Sequence, residues 1–291
     1  MRTIEASELI LNPDGSIFHL HLLPEQLADT VILVGDPGRV DAVAAQLGSI
    51  ECRVQNREFK SCTGTYKGKR ISVVSTGIGT DNIDIVLNEL DALANIDLQR
   101  RQVREQHHPL TIVRLGTSGG LQPELELGCH VLTATSIGFD GLLNFYANRN
   151  RVSDLDMEAA FVQHTGWNPL CAKPYFCHSN PELVELFADF TVRGMTISAP
   201  GFYGPQGRVL RLPLADPELN SKVESFCFKG QKITNFEMES SAINGLSLLL
   251  GHRSLTICTI IAQRVAKGAK VDYQQAIADL IGKTLERLAS I

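Results

Sequence analysis

Residues 30–35, TVILVG, form a short β-branched apolar run that ends at Asp36-Pro37-Gly38 and gives way to RVDAVAAQLG, where apolar residues recur at helical spacing. A run of this length, closed by turn residues, predicts a buried strand stopping at a tight turn. The stretch behind it predicts a helical crossover with Gly48 as its stop. The same alternation repeats down the chain. TYKGKRISVVST (65–76) predicts a hairpin turning near Lys67-Gly68-Lys69. From Asp81 to Ile96, apolar Ile83, Val86, Leu87, Leu90, Leu93 and Ala94 predict a helix with Asp81 or Asn82 as N-cap. Strand-like runs follow at 110–116, 130–138, 191–198 and 254–261, and helical ones at 239–251 and 271–290. Strands joined by helical crossovers predict an α/β fold with a twisted, mixed but mainly parallel central β-sheet flanked by α-helices. In such sheets ligands gather at the carboxyl ends of the strands.

The 291 residues suffice for one large core, and no repeat, low-complexity tract or linker divides them, so the expected organisation is a single domain over 1–291. Residues 1–16 read as an N-terminal extension, and DLQRRQVREQHHP (97–109) as a solvated polar insertion that prolongs the preceding helix. With 27 Lys and Arg against 32 Asp and Glu, the formal net charge of -5 provides no general attraction to nucleic acid or to an anionic membrane. Any bound anion must be held by a local cluster. No apolar run approaches the roughly 20 residues of a membrane helix, and MRTIEASELILNPDG lacks the apolar core of a signal peptide. The seven cysteines are scattered without a C-x-x-C pair, which suits a reducing cytoplasm better than a disulfide framework. Cys171, Cys177 and His178 come nearest to a metal cluster but lack a second ligand pair.

Two arginines stand where chemistry is expected. Gly35 ends a strand and can turn a bare N–H to an anion, while Arg39 supplies a planar, permanently charged fork suited to phosphate oxygens. Arg114 lies inside the apolar strand TIVRLG, where a charge needs a buried partner, either a carboxylate or a bound anion. The residues after it, Gly116-Thr117-Ser118-Gly119-Gly120, allow two readings. As G-x-S-x-G they match the nucleophile elbow of a serine hydrolase, with Ser118 reactive. As a glycine-lined loop they collect a phosphate with Arg114 and Thr117, and Ser118 attacks nothing. An elbow must run into a helix, yet Pro123 follows five residues after Ser118 and the pattern turns extended. The downstream histidines His164, His178 and His252 sit in no telling motif. STGIGTDN carries two glycines of a dinucleotide fingerprint with Asn82 at the third, and no Walker-type loop is present.

FHLHL, GDPGRV, NREF, STGIG, RLGTSGG, FYGPQGR, NFEMES and AQR occur in the order found in the uridine phosphorylases of the nucleoside phosphorylase superfamily (the PNP/UDP family), which the chain resembles from about residue 17 to its last helix. The resemblance implies the phosphorylase/hydrolase-like fold and reversible phosphorolysis of uridine to uracil and ribose 1-phosphate, with inorganic phosphate as co-substrate and no other cofactor. By it, Gly35, Arg39, Arg114 and Thr117 hold the phosphate, joined by Arg57 of NREF from a neighbouring subunit. Charge-assisted bonds from three arginines suit a dianion and aim it at the anomeric carbon. NFEMES is implied as the ribose site. There Met238 and Glu239 hold the sugar, with Glu237 and Thr117 alongside and His19 reaching the 5′ hydroxyl from the adjacent subunit. An anionic acceptor there favours an oxocarbenium-like transition state. Thr234-x-x-Glu237 also has capping-box spacing, which predicts a helix start.

In FYGPQGR, the resemblance implies that Gln206 matches the N3–H and O2 edge of uracil, that Arg208 meets charge arriving on O4, and that Phe202 stacks against or walls off the ring. By the same resemblance Arg264 is expected to assist at O4, where purine-cleaving relatives carry an aspartate. The catalytic candidates are therefore Arg114, Gln206, Arg208 and Glu239. Gly204-Pro205 reverses the family's usual Pro-Gly, Gly207 replaces a larger polar residue, and Gln263 stands where Asn is common; Gln206 and Arg208 stay in register. A homo-oligomer is implied, a dimer or a trimer of dimers, because His19 and Arg57 complete a neighbour's pocket. Some relatives hold a monovalent cation such as K+ between subunits through groups at Glu58, Ile78 and Asn82, the last replacing a serine. Neither nucleic acid nor membrane is an expected partner. The alternatives are a purine phosphorylase or nucleosidase of the same superfamily, a non-catalytic nucleoside-binding protein, and a serine hydrolase using Ser118.

Overall fold

The computed structural model describes residues 2–263, 268–269 and 272–291. Its strands are β1 (Thr30–Val34), β2 (Ser49–Asn56), β3 (Phe59–Tyr66), β4 (Lys69–Ser75), β5 (Ile96–Asp97), β6 (Gln102–Val103) and β7 (Thr111–Gly120). They continue with β8 (His130–Gly138), β9 (Tyr175–His178), β10 (Val192–Ser198), β11 (Cys227–Phe228), β12 (Gln231–Glu237), β13 (Arg253–Gln263) and β14 (Gly268–Ala269). The helices are α1 (Pro37–Ala44), α2 (Thr80–Asn95), α3 (Leu155–Thr165), α4 (Pro181–Leu186), α5 (Leu219–Ser225), α6 (Ser240–Leu250) and α7 (Gln274–Leu288).

Strand β1 explains the layering. Val31 and Leu33 pack into a core with Ile83 and Leu87 of α2 and Leu246 of α6. Ile32 and Val34 point the other way, into a core with Val40 of α1 and Leu280 and Leu285 of α7. Period-two alternation in a wholly apolar strand thus feeds both faces, and each fully buried side chain contributes about 1.5–3 kcal/mol. The sheet is mixed: β1 runs parallel to β4 and β7, β7 parallel to β13, and β13 antiparallel to β8.

One pairing decides where the site lies. The order β12-β10-β8-β13-β7 would leave an open edge, but β12 also pairs antiparallel with β7 through Asn235↔Gly120 and Phe236↔Gly119. Five strands therefore form a closed circuit. Gly194, at a register shift in β10, permits the bend, since a Cβ there would sit 2.1 Å from Thr234 Oγ1. Closure brings the carboxyl ends of β7 and β12 together.

Several local expectations change. Asp36-Pro37-Gly38 opens α1 rather than making a free tight turn: Asp36 is the N-cap, accepts from the Gly38 N–H at 2.8 Å, and Pro37 takes the first helical position. The N-cap of α2 is Gly79, not Asp81 or Asn82. GTSGG is no loop, because β7 continues through Gly120 with β13 beside it. The 97–109 insertion does not prolong α2. Ile96 is extended, and β5 and β6 make a small hairpin instead. Side chains fix it to the fold: Asn95 Oδ1 accepts from the His108 N–H at 2.6 Å, and His107 Nε2 donates to the Leu250 carbonyl at 2.9 Å. His252 completes the anchor, its Nε2 3.2 Å from Asp91 Oδ1. Its Nδ1 accepts from the Leu110 N–H at 3.1 Å, so neutral His252 carries its proton on Nε2 and offers no lone pair to a metal beside Asp91 and His107.

Candidate active site

A cavity of ≈ 550 Å³ opens at the carboxyl ends of β1, β7, β12 and β13. Gly35, Arg39, Arg114 and Thr117 line one part of it, Glu237, Met238 and Glu239 another, and Phe202, Gln206 and Arg208 a third. Strand ends and the first turns of two helices thus supply the groups that the sequence singled out.

Arg39 rises from α1 and donates through Nη1 to the Leu115 carbonyl at 3.1 Å. Burial, reinforced by the nearby Arg114 charge, holds its pKa below the ordinary arginine value. Two guanidiniums sharing one cleft favour an anion between them.

Arg114 is itself buried and folds over Gly116, where a Cβ would fall 2.3 Å from Nη1 and 2.9 Å from Cys258 Sγ. Only glycine leaves that floor open. The guanidinium pairs with Glu237 Oε2 at 3.1 Å through Nη1 and with Glu239 Oε2 through Nη2. Burial works against its charge, yet Glu239 and Glu237 outweigh it and hold Arg114 above its ordinary pKa. The salt-bridge alternative for this strand arginine is therefore realised in this structure. Cys258, on β13 opposite Gly116, receives Nη1 at 3.5 Å; burial pushes its thiol up to about 12, so it is a neutral, weak acceptor.

Glu237 closes β12 and accepts from the Ser198 hydroxyl at 2.6 Å and from the backbone N–H groups of Glu239 and Ser240 at 3.0 Å each. It thereby serves the N-terminus of α6. The capping-box reading is corrected, because Thr234 sits within β12 and its hydroxyl donates to the Met195 carbonyl at 2.9 Å. Glu239, the N-cap residue of α6, accepts from the Gly79 N–H at 2.8 Å. Burial raises its pKa, Arg114 opposes that, and the like charge of Glu237 adds to it.

The third wall is a 3-10 turn, Gly204–Gln206. Arg208 Nη1 donates to Gln206 Oε1 and to the Phe202 carbonyl, both at 2.6 Å, and its guanidinium lies 3.7 Å over the Phe202 ring. Gln263 is occupied elsewhere, donating to the Gln122 and Leu125 carbonyls at 2.9 and 2.8 Å. Arg264 lies outside the described residues.

Four named residues fall outside the cavity lining. His19 pairs through Nδ1 with Glu89 at 2.6 Å, Asn56 donates to the His19 carbonyl at 2.9 Å, and the Arg57 guanidinium lies 5.6 Å from the Phe18 ring centroid. His19 and Arg57 thus share one patch. Glu58 and Asn82 flank Gly77, beside cavity-lining Ile78. Cys258 and the Gly79 N–H are contributors that the sequence did not single out. Only strand pairing shows that Cys258 faces Gly116.

The family described as Phosphorylase superfamily has a sequence model that matches residues 29–291. The chain belongs to the phosphorylase superfamily. It is 28% identical to the uridine phosphorylase of Thermococcus kodakarensis over 261 residues, 87% of this chain and 79% of that protein. It is 25% identical to a DeoD-type purine nucleoside phosphorylase of Colwellia psychrerythraea over 272 residues, covering 92% and 97%. Among solved structures, the Trypanosoma brucei nucleoside phosphorylase described as showing uridine phosphorylase activity superposes with a TM-score of 0.87 at 32% identity, covering 97% of this chain and 100% of that one.

In this phosphorylase Ser118 is no elbow serine. It lies within a continuous strand, its hydroxyl accepts from Asn235 Nδ2 at 2.9 Å, and no described residue lining the cavity is a histidine. The described lining therefore supplies no histidine to act as general base for a serine nucleophile.

Proposed function

We propose that this phosphorylase cleaves the N-glycosidic bond of uridine with inorganic phosphate, giving uracil and ribose 1-phosphate. What carries the reading is one cavity that joins paired arginines, a buried carboxylate pair and a glutamine–arginine turn. The Gly35 N–H, Arg39, Arg114 and Thr117 hold the phosphate, with the partner subunit's Arg57. Met238 and Glu239 hold the ribose, with Glu237 and Thr117 beside them and the partner subunit's His19 at the 5′ hydroxyl. Gln206 reads the uracil edge beside Phe202, and Arg208 with Arg264 stabilises the charge that the leaving base acquires on O4. Phosphate is the nucleophile, so no protein side chain need form a covalent intermediate.

The same reading makes the protein a homo-oligomer of single phosphorylase domains. It includes a monovalent cation held between subunits by Glu58, the Ile78 carbonyl and Asn82, with no catalytic step assigned to it. A cytoplasmic location fits the seven cysteines, all free, and the described residues, in which no helix is long and apolar enough to cross a membrane.

Incubation with uridine, with and without phosphate, tests the reaction by the change in base absorbance. Phosphate-dependent loss of uridine is expected. Release without phosphate would assign a nucleosidase, and cleavage of inosine alone a purine phosphorylase.

A further inference from the structure

The turn that carries Gln206 separates two cavities. Gln206 and Arg208 line the active-site cavity, whereas Gly204, Pro205 and Gly207 line a second one of ≈ 320 Å³, bounded also by Trp167 and Leu219. Open space behind the turn deprives it of dense packing on that side. Its own hydrogen bonds run from the Gly207 N–H to the Gly204 carbonyl at 2.9 Å and from the Gln206 and Arg208 N–H groups to the Tyr203 carbonyl at 3.1 and 2.8 Å. These bonds fix the shape of the turn but not its place in the fold. Asn220 reaches it from α5: its Nδ2 donates to the Gln206 carbonyl at 3.2 Å, and its side chain borders the second cavity, not the active-site one.

Gly207 makes that approach possible. Its φ of 69° is left-handed, and a Cβ there would fall 2.2 Å from Asn220 Nδ2. Helix α5 is a firm platform for the amide. Val223 and Phe226 are buried in a cluster with Phe161 and Ile233, while Asp216 accepts from the Glu218 N–H at 3.0 Å and pairs with Lys222 at 2.8 Å. The amide adds little to stability, because Asn220 Oδ1 is buried and among the described residues has no hydrogen-bond partner, which offsets what Nδ2 gains. What the bond does fix is the position of Gln206, whose Oε1 in turn receives Arg208 Nη1 at 2.6 Å. Resting on the functional reading above, we infer that Asn220 is a positioning residue for base recognition, holding Gln206 against the uracil edge from behind without touching substrate.

Steady-state kinetics of Asn220→Ala in the full chain tests this. The KM for uridine should rise about fivefold, as loss of one neutral hydrogen bond implies, while the KM for phosphate stays within about twofold and the melting temperature within about 3 °C of the parent. Asn220→Asp keeps the shape of the side chain without its donor and should show the same rise. Because Asn220 acts through Gln206, adding Asn220→Ala to Gln206→Ala should lower kcat/KM for uridine by less than about twofold further. An unchanged uridine KM in both single variants, or losses that multiply in the double variant, would overturn the inference and leave the functional reading standing. So would an Asn220→Ala chain that melts far lower and loses affinity for both substrates alike, since that assigns the amide a merely structural role. A parent chain that does not cleave uridine would overturn both.

Discussion

At the scale of single residues, the charge in an apolar strand was the informative signal. Arg114 announced a buried partner, but Glu239 lies 125 residues further along the chain, and nothing local connects the two. Arg208 is tied to Gln206 and lies over the Phe202 ring, the contacts on which its proposed part in base recognition rests. Arg208→Ala should lower the kcat for uridine by about 10²-fold or more while phosphate affinity stays within about twofold. Steady-state kinetics beside phosphate titration checks this, and unchanged turnover would remove Arg208 from the base site. Ser118→Ala makes the opposite prediction. Turnover should stay within about threefold of the parent while stability falls by about 1 kcal/mol through loss of the partner of Asn235. Abolished turnover in a folded variant would restore the hydrolase reading.

At the scale of elements, periodicity located the main strands and helices because both sheet faces are buried and the apolar pattern follows geometry. Boundaries set by side-chain hydrogen bonds were less legible. The insertion became a hairpin because Asn95 turns its side chain to the His108 N–H, and α6 takes its N-terminal acceptor from Glu237 rather than from a capping box. Helix α7 meets the sheet at His130, whose ring lies 3.0 Å from Thr259 Oγ1 and 3.3 Å from Asp279 Oδ2. Burial lowers the His130 pKa from 6.5, against the pull of Asp279. The unfolded chain therefore takes up this proton at higher pH than the folded one. This contribution to stability is present above pH 6.5 and is lost as pH falls through and below that value. Melting temperatures recorded between about pH 7.5 and pH 5 should fall more steeply for the parent than for His130→Gln. Parallel curves would show that His130 does not titrate on unfolding.

For the whole molecule, closure of five strands through the β7–β12 pairing is what assembles the cavity. The patch bearing His19 and Arg57 lies outside that cavity, which fits service to a neighbour. Complementation tests this. Arg57→Ala and Arg114→Ala should each lose most phosphorolysis, whereas assemblies reconstituted from both chains should recover part of it. The Arg57→Ala subunit keeps Arg114 and can receive Arg57 from its partner. Failure to recover activity in verified mixed assemblies would place Arg57 in service of its own chain.

The sequence by itself determined the α/β alternation, because apolar period and turn chemistry act over a few neighbouring residues. It also marked most of the cavity-lining groups, Gly35, Arg39, Arg114, Gln206, Arg208 and Glu239 among them, because their ordered motifs resemble those of a family. Tertiary structure alone decided their partners: Arg114 with both carboxylates, Cys258 opposite Gly116, and Ser118 held by Asn235. Those contacts exist only after strands distant in sequence pair and the sheet closes. A property of strand register is not written in any one stretch of residues.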